Sequence, residues 1–232
     1  MQLTQKRKAA LIVFLAFDAL IVLALVMLFQ LRGERQSEAE LREIGVTIFP
    51  EPRPISDFRL LDQNGDFFAK ADFQGHWNLV FFGFTHCPDI CPLTMAELKQ
   101  FYEGLDFDQL ERPRVFLVTV DPRRDNPESM AAYVANFNPD FFGLSGDPQA
   151  IAQLASELYV TYEEMMEAES SNSHEHGATH ADADMDTDAQ QDYLITHSGH
   201  IAVIDPQGEY HAVMRAPHRD RDLATAYREL IR

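Results

Sequence analysis

Apolar residues run almost without a break from Ala9 to Phe29. As a helix rising about 1.5 Å per residue, such a run is long enough to cross a hydrocarbon layer of about 30 Å. It is too long for the apolar centre of a cleaved signal, and no small-x-small cleavage site follows it, so the pattern predicts an uncleaved signal anchor. Lys6, Arg7 and Lys8 stand before the run, which places the N-terminus in the cytoplasm and everything after Arg32 outside. Asp18 is the one polar interruption, and protonation or snorkelling is its ordinary explanation.

Beyond Arg32 the pattern changes. Residues 33–55 are charged, carry Pro50, Pro52 and Pro54, and read as a stalk. Phe58–Asp62 and Asp66–Phe68 flank Asn64-Gly65, the signature of a hairpin turn. Trp77–Phe84 is apolar but for Asn78 and Gly83, as expected of a strand covered on both faces, and Arg114–Val120 is a second such strand. A helical stretch, Leu93–Tyr102, follows the first. Asn126-Pro127 and Asp147-Pro148 each put a capping side chain before a first-turn proline and so open two more helices. Tyr193–Thr196 and His200–Ile204 read as strands, Asp205–Gly208 as a turn, Glu209–Arg215 as the return strand and Asp220–Arg232 as a closing helix. Strands alternating with helices, then a terminal hairpin and helix, describe a three-layer α/β domain of the thioredoxin kind over 56–232. The chain is thus divided into an anchor segment (1–32), a stalk (33–55) and one domain.

Charge narrows the partners. After Arg32 there are 15 Lys and Arg against 36 Asp and Glu, a net of −21. A surface of that sign repels nucleic acid and anionic lipid, and suits a domain held above a membrane. From Glu163 to Asp192 the chain has ten acids, no Lys or Arg, and no Val, Ile, Leu or Phe. Such a segment buries too little apolar surface to offset its ordering entropy, so it is expected to be a disordered insertion. It contains His174, His176 and His180. These are either incidental or an auxiliary metal-binding tract, and composition favours neither.

The candidate chemistry lies between the first strand and its helix. Cys87 and Cys91 are the only cysteines of the chain, in Gly83-Phe84-Thr85-His86-Cys87-Pro88-Asp89-Ile90-Cys91-Pro92. The unsatisfied N–H groups of a helix N-terminus favour thiolate, which is both a nucleophile and a metal ligand. Cysteines four apart on a turn point to the same side and are close enough to oxidise or to share an ion. A structural disulfide over so small a loop would add little stability. Two thiolates favour Cu(I), with zinc as competitor, and one imidazole would complete an open three-coordinate site. His197, at the end of a predicted strand, is the first candidate for that imidazole. His200 is weaker, the side chain of His86 should diverge from that of its neighbour Cys87, and His76, His211 and His218 read as surface or edge residues.

The cysteine segment closely resembles the signature of the Sco/SenC family of membrane-anchored, thioredoxin-fold copper proteins. Val118–Glu128 and Tyr193–Ser198 resemble its second and distal-histidine motifs, in the same order along the chain. The resemblance implies a copper chaperone for the binuclear Cu-A centre of cytochrome c oxidase, with Cys87, Cys91 and His197 binding Cu(I) and Cu(II). It also implies support from Asp121 beside the site. It further implies a bacterial inner-membrane protein whose soluble domain is periplasmic, and the Cu-A-bearing oxidase subunit as partner. A periplasmic thiol reductant is a second expected partner, because a Cys87–Cys91 disulfide withholds both thiolates. The sequence departs from the family pattern at Thr196, where many members carry an acid, and in the long acidic insertion.

Two rival classes remain open. Any dithiol exchanges with disulfides, so a thiol–disulfide reductase acting on the oxidase subunit is the alternative. There is no proline between Pro148 and Pro206, where redox enzymes of this fold carry a cis-proline facing the cysteines, and this favours metal. A copper sensor or sink would use the same ligands. A peroxiredoxin would need a threonine three residues before its cysteine, and Phe84 and Pro88 occupy those places.

Overall fold

The computed structural model describes residues 5–105, 110–166 and 193–231. Its centre is the pair of strands that the apolar pattern marks most strongly, β4 (Asn78–Gly83) and β5 (Arg114–Thr119), which run parallel. Every residue of β4 is buried, so both faces of the sheet are covered at this point. The connection between them carries α2 (Ile90–Gly104), and a second crossover through α3 (Pro127–Ala135) leads to β6 (Phe142–Ser145), parallel to β5. On the other side β4 meets β9 (Ile201–Ile204) antiparallel, then β10 (Tyr210–Met214). The hairpin of β2 (Arg59–Asp62) and β3 (Phe67–Ala69) extends the β6 side and β1 (Val46–Arg53) the β10 side, giving an eight-stranded order β1-β10-β9-β4-β5-β6-β2-β3. α2 packs with α5 (Asp220–Leu230), α3 packs on β6, and α4 (Pro148–Glu157) approaches β2.

Local chemistry accounts for the expected boundaries. Asn126 Oδ1 accepts from the Ser129 amide at 2.9 Å, and Asp147 Oδ1 accepts from Gln149 and Ala150, each cap followed by a proline. In the β2–β3 turn Asp62 Oδ1 accepts from the amides of Asn64 and Asp66, while Gly65 takes φ +84°, where a side chain would be strained.

Three segments differ from the sequence reading. The region read as a stalk is largely ordered structure: α1 (Gln5–Glu43) continues into it, and β1 (Val46–Arg53) pairs antiparallel with β10. Pro50 and Pro52 lie where the register shifts between Ile48 and Arg53, and β1 is an edge strand, a position that tolerates a missing N–H. Leu41 and Val46 are buried, tying this segment to the core. The insertion begins later than Glu163, because β7 (Tyr162–Met166) is a strand. Its partner is β8 (Tyr193–His197), and the two form a separate two-stranded ribbon rather than joining the main sheet. His174, His176 and His180 lie outside the described residues.

On α1 the described side chains between 13 and 27 include Val13, Phe14, Phe17, Leu20 and Leu23, all exposed. Among the described residues, no helix is long and apolar enough to cross a membrane.

Candidate metal centre

The register of the sheet brings three loops to one end of it. Gly83, the last residue of β4, pairs with Thr119 at the end of β5, and Phe81 pairs with Ile201 at the start of β9. The cysteine turn leaves β4 there, the Asp121–Asp125 loop leaves β5 there, and His197–Gly199 enter β9 there. In sheets of this kind ligands gather at the carboxyl ends of parallel strands.

α2 begins at Ile90, earlier than the apolar pattern indicates, so Cys91 lies in its first turn and Cys87 just before it. The side chain of Asp89, at the N-cap, makes no capping bond; instead the Cys91 amide donates to Cys87 Sγ at 3.4 Å. The sulfur therefore stands where a capping oxygen would, facing the positive end of the helix. Cys91 is fully buried and Cys87 partly exposed, and both are free thiols. His197 Nε2 lies 3.1 Å from Cys91 Sγ. Its Nδ1 lies 3.2 Å from the Ser198 carbonyl, so Nε2 is the nitrogen that faces the sulfurs. Phe81 and Phe84 meet the ring edge-on at 5.8 and 6.0 Å and hold it from the core side. One ligand atom from each of Cys87, Cys91 and His197 lies within 4.8 Å of the other two.

The two sulfurs divide one proton unequally. The hydrogen bond from the Cys91 thiol, aided by His197 and by backbone amides, brings Cys87 down to about 4 against the opposing effect of burial. That same bond, together with burial, pushes Cys91 strongly up. At neutral pH the pair is one thiolate and one thiol, and a metal that binds both must displace the Cys91 proton. Iodoacetamide should therefore alkylate Cys87 first, at a rate nearly flat from pH 8 to pH 6 and falling only as pH approaches about 4. Peptide mass spectrometry of the apo protein reads this directly. A tenfold loss of rate per pH unit below 8 would contradict the assignment.

Two residues essential to this geometry carry no sequence signal of their own. A Cβ on Gly83 would stand 2.8 Å from Cys91 Sγ, so only glycine lets the helix bring the thiol against β4. Asp125, fully buried, accepts from the Thr85 amide at 3.0 Å, from Thr85 Oγ1, and from Thr119 Oγ1 at 2.7 Å. It fastens the start of the cysteine turn to the end of β5. Asp121, expected beside the ligands, is buried and pairs with Arg124 Nε. Asp125 supplies a carboxylate bonded to the cysteine turn, and a backbone carbonyl lies against His197 Nδ1.

Four other histidines are held elsewhere. His200 Nε2 faces the Leu158 carbonyl at 3.1 Å, and burial lowers its pKa. His218 Nε2 faces the Gly199 carbonyl at 2.6 Å and is partly buried, more enclosed than its sequence context indicates. His76 and His211 sit 3.8 and 3.6 Å from Glu111 and Asp205. The donor set that remains, two sulfurs and one imidazole open on the Cys87 side, fits copper: soft ligands, low coordination, and room for an exchanging partner.

Known proteins agree with the geometry. The SCO1/SenC family model matches residues 50–232. The mitochondrial SCO2 homologue of Bos taurus is 34% identical over 210 residues, covering 87% of this chain and 69% of its own. Arabidopsis thaliana ScoI, solved with copper bound, superposes with a TM-score of 0.62 at 26% identity, over 75% of this chain and 96% of that one. Apo Sco1 from Thermus thermophilus gives 0.60 at 30% identity, over 79% and 95%. The fold is the mixed α/β, thioredoxin-like fold of those structures. With the match running from β1 through α5 and the cysteines and histidine gathered at one end of the sheet, this chain belongs to the SCO1/SenC family.

Proposed function

We propose that this protein is a copper chaperone for cytochrome c oxidase, carrying Cu(I) or Cu(II) on Cys87, Cys91 and His197 and delivering it to the Cu-A centre. The observation that carries this reading is the convergence of three soft or borderline ligand atoms within 4.8 Å, with one thiol on the surface side. Copper is cargo here. The Cys87 thiolate is already formed and makes the first sulfur bond, Cys91 joins by releasing its proton, and His197 Nε2 completes the set. Three ligands leave the ion open to a recipient's thiolates, so ion and ligands separate by exchange rather than by dissociation.

Residues 9–29 anchor the chain in a bacterial inner membrane, with the domain in the periplasm. The exposed apolar side chains from Val13 to Met27 support this, since a solvent-facing apolar surface is poorly tolerated in water. A periplasmic thiol reductant keeps Cys87 and Cys91 from pairing with one another.

An anaerobic Cu(I) competition titration on the reduced, detergent-solubilised full chain tests the reading. One tight equivalent is expected, weakened at least tenfold in His197→Ala, the scale on which losses at metal sites usually fall. The reactive Cys87 thiolate equally suits a thiol–disulfide reductase acting on the oxidase subunit. Weak copper binding, or a His197→Ala variant that loses nothing, would make that the leading reading.

A further inference from the structure

His86 stands one residue before Cys87 and outside the three-ligand group, yet its ring is held with care. Its side chain is 59% exposed. Nδ1 lies 2.9 Å from Thr85 Oγ1, and that hydroxyl gives its single proton to Asp125 Oδ1. The hydroxyl can therefore only accept from the ring, so Nδ1 carries the proton and, in the neutral imidazole, Nε2 keeps its lone pair on the far side from this network. The anchor beneath is a carboxylate with no exposure at all, fixed in turn by Thr119 and the Thr85 amide. A histidine whose second nitrogen is tied through hydrogen bonds to a carboxylate is the arrangement proteins use to orient a metal-ligating imidazole. His197 is set the same way, with Nδ1 on a backbone carbonyl and Nε2 toward sulfur. A bland surface histidine would need no such chain of contacts into the core.

We propose that His86 is a transfer ligand for Cu(I): its Nε2 takes the ion at the mouth of the site and hands it to Cys87. This rests on the copper reading above. In the inward direction one bond from copper to the delivering complex breaks as the Nε2–Cu bond forms. The Cys87 Sγ–Cu bond then forms as Nε2–Cu breaks. Cys91 and His197 then replace the delivering complex's remaining donors, which leave with that complex, and the Cys91 proton passes to solvent. Copper stays Cu(I) throughout, and release follows the same steps in reverse. His86 thus lowers the barrier to exchange without adding to the resting affinity.

The test is stopped-flow exchange of Cu(I) between a coloured bicinchoninate chelator and the reduced full-length protein, parent against His86→Ala. Transfer is expected to slow roughly tenfold in both directions with the equilibrium position unchanged, and added free imidazole should restore the rate. Unaltered rates would overturn the proposal. So would a slowed rate that imidazole does not rescue, because the loop would then have been disturbed rather than a ligand removed. An equilibrium shifted in step with the rate would make His86 a resting ligand instead. A parent chain that takes no Cu(I) from the chelator at any ratio would remove the copper reading and this inference together.

Discussion

Gly83→Ala is expected to weaken Cu(I) binding by about 10- to 100-fold while leaving both cysteines and His197 in the chain. The added methyl would meet Cys91 Sγ at 2.8 Å, Leu117 Cδ1 at 3.1 Å and Phe81 Cε1 at 3.2 Å. All three neighbours are fully buried, so the strain cannot be passed to solvent. If the sulfur yields, Cys91 is driven from its partners; if the ring of Phe81 yields, the edge-on support of His197 moves with it. Either way two of the three ligands lose register. Overpacking should also lower stability by about 1–3 kcal/mol. Copper competition and urea unfolding on the same variant separate the two effects. An alanine variant that binds copper like the parent would mean that α2 slides freely against β4.

Asp125→Ala should be more damaging to the fold. The carboxylate satisfies the Thr85 amide, the Thr85 hydroxyl and the Thr119 hydroxyl, and nothing in an alanine replaces it. Hydrogen bonds to a charged group contribute about 1.5–3 kcal/mol each, and the loss of several at a buried point is only partly offset by entering water. A loss of about 3 kcal/mol or more is expected in urea denaturation, together with weaker copper binding as the cysteine turn loosens. Asp125→Asn keeps one accepting oxygen and should lose visibly less. Equal losses in the two variants would show that the site needs the negative charge rather than the acceptors.

These two positions also mark where the sequence stops being legible. The two central strands and the helices α3 and α4 can be read because their determinants are local: apolar runs, and an Asn or Asp immediately before proline. The cysteine turn can be read because two thiols at that spacing have few other uses, and His197 because it ends a strand that the topology brings to the same edge. Gly83 and Asp125 have no such local mark. Their importance arises from what packs across a crossover, a sulfur 2.8 Å from an absent Cβ, and one threonine in the cysteine turn with another at the end of β5. Asp121 and Asp125 flank the same short loop, and only folding decides which carboxylate faces the cysteine turn. The edge strand β1 is illegible for a related reason. Its prolines argue for a stalk, and the strand exists because β10 offers it a partner over Val46–Ile48. β6 is only four residues long and contains Gly143, too little for a periodic pattern to show.

The ribbon of β7 and β8 explains how so foreign a tract came to sit directly before a ligand. His197 pairs with Tyr162 at one end of the ladder, and Met166 pairs with Tyr193 at the other. Four residue steps at about 3.4 Å each separate the imidazole from the tip by roughly 14 Å. The paired backbone acts as an insulator, and whatever is spliced into the far end leaves the near end in register. Selection is therefore free to lengthen, acidify or erase residues 167–192 without renegotiating the geometry at His197. Related chains should differ most at that tip and least at its root.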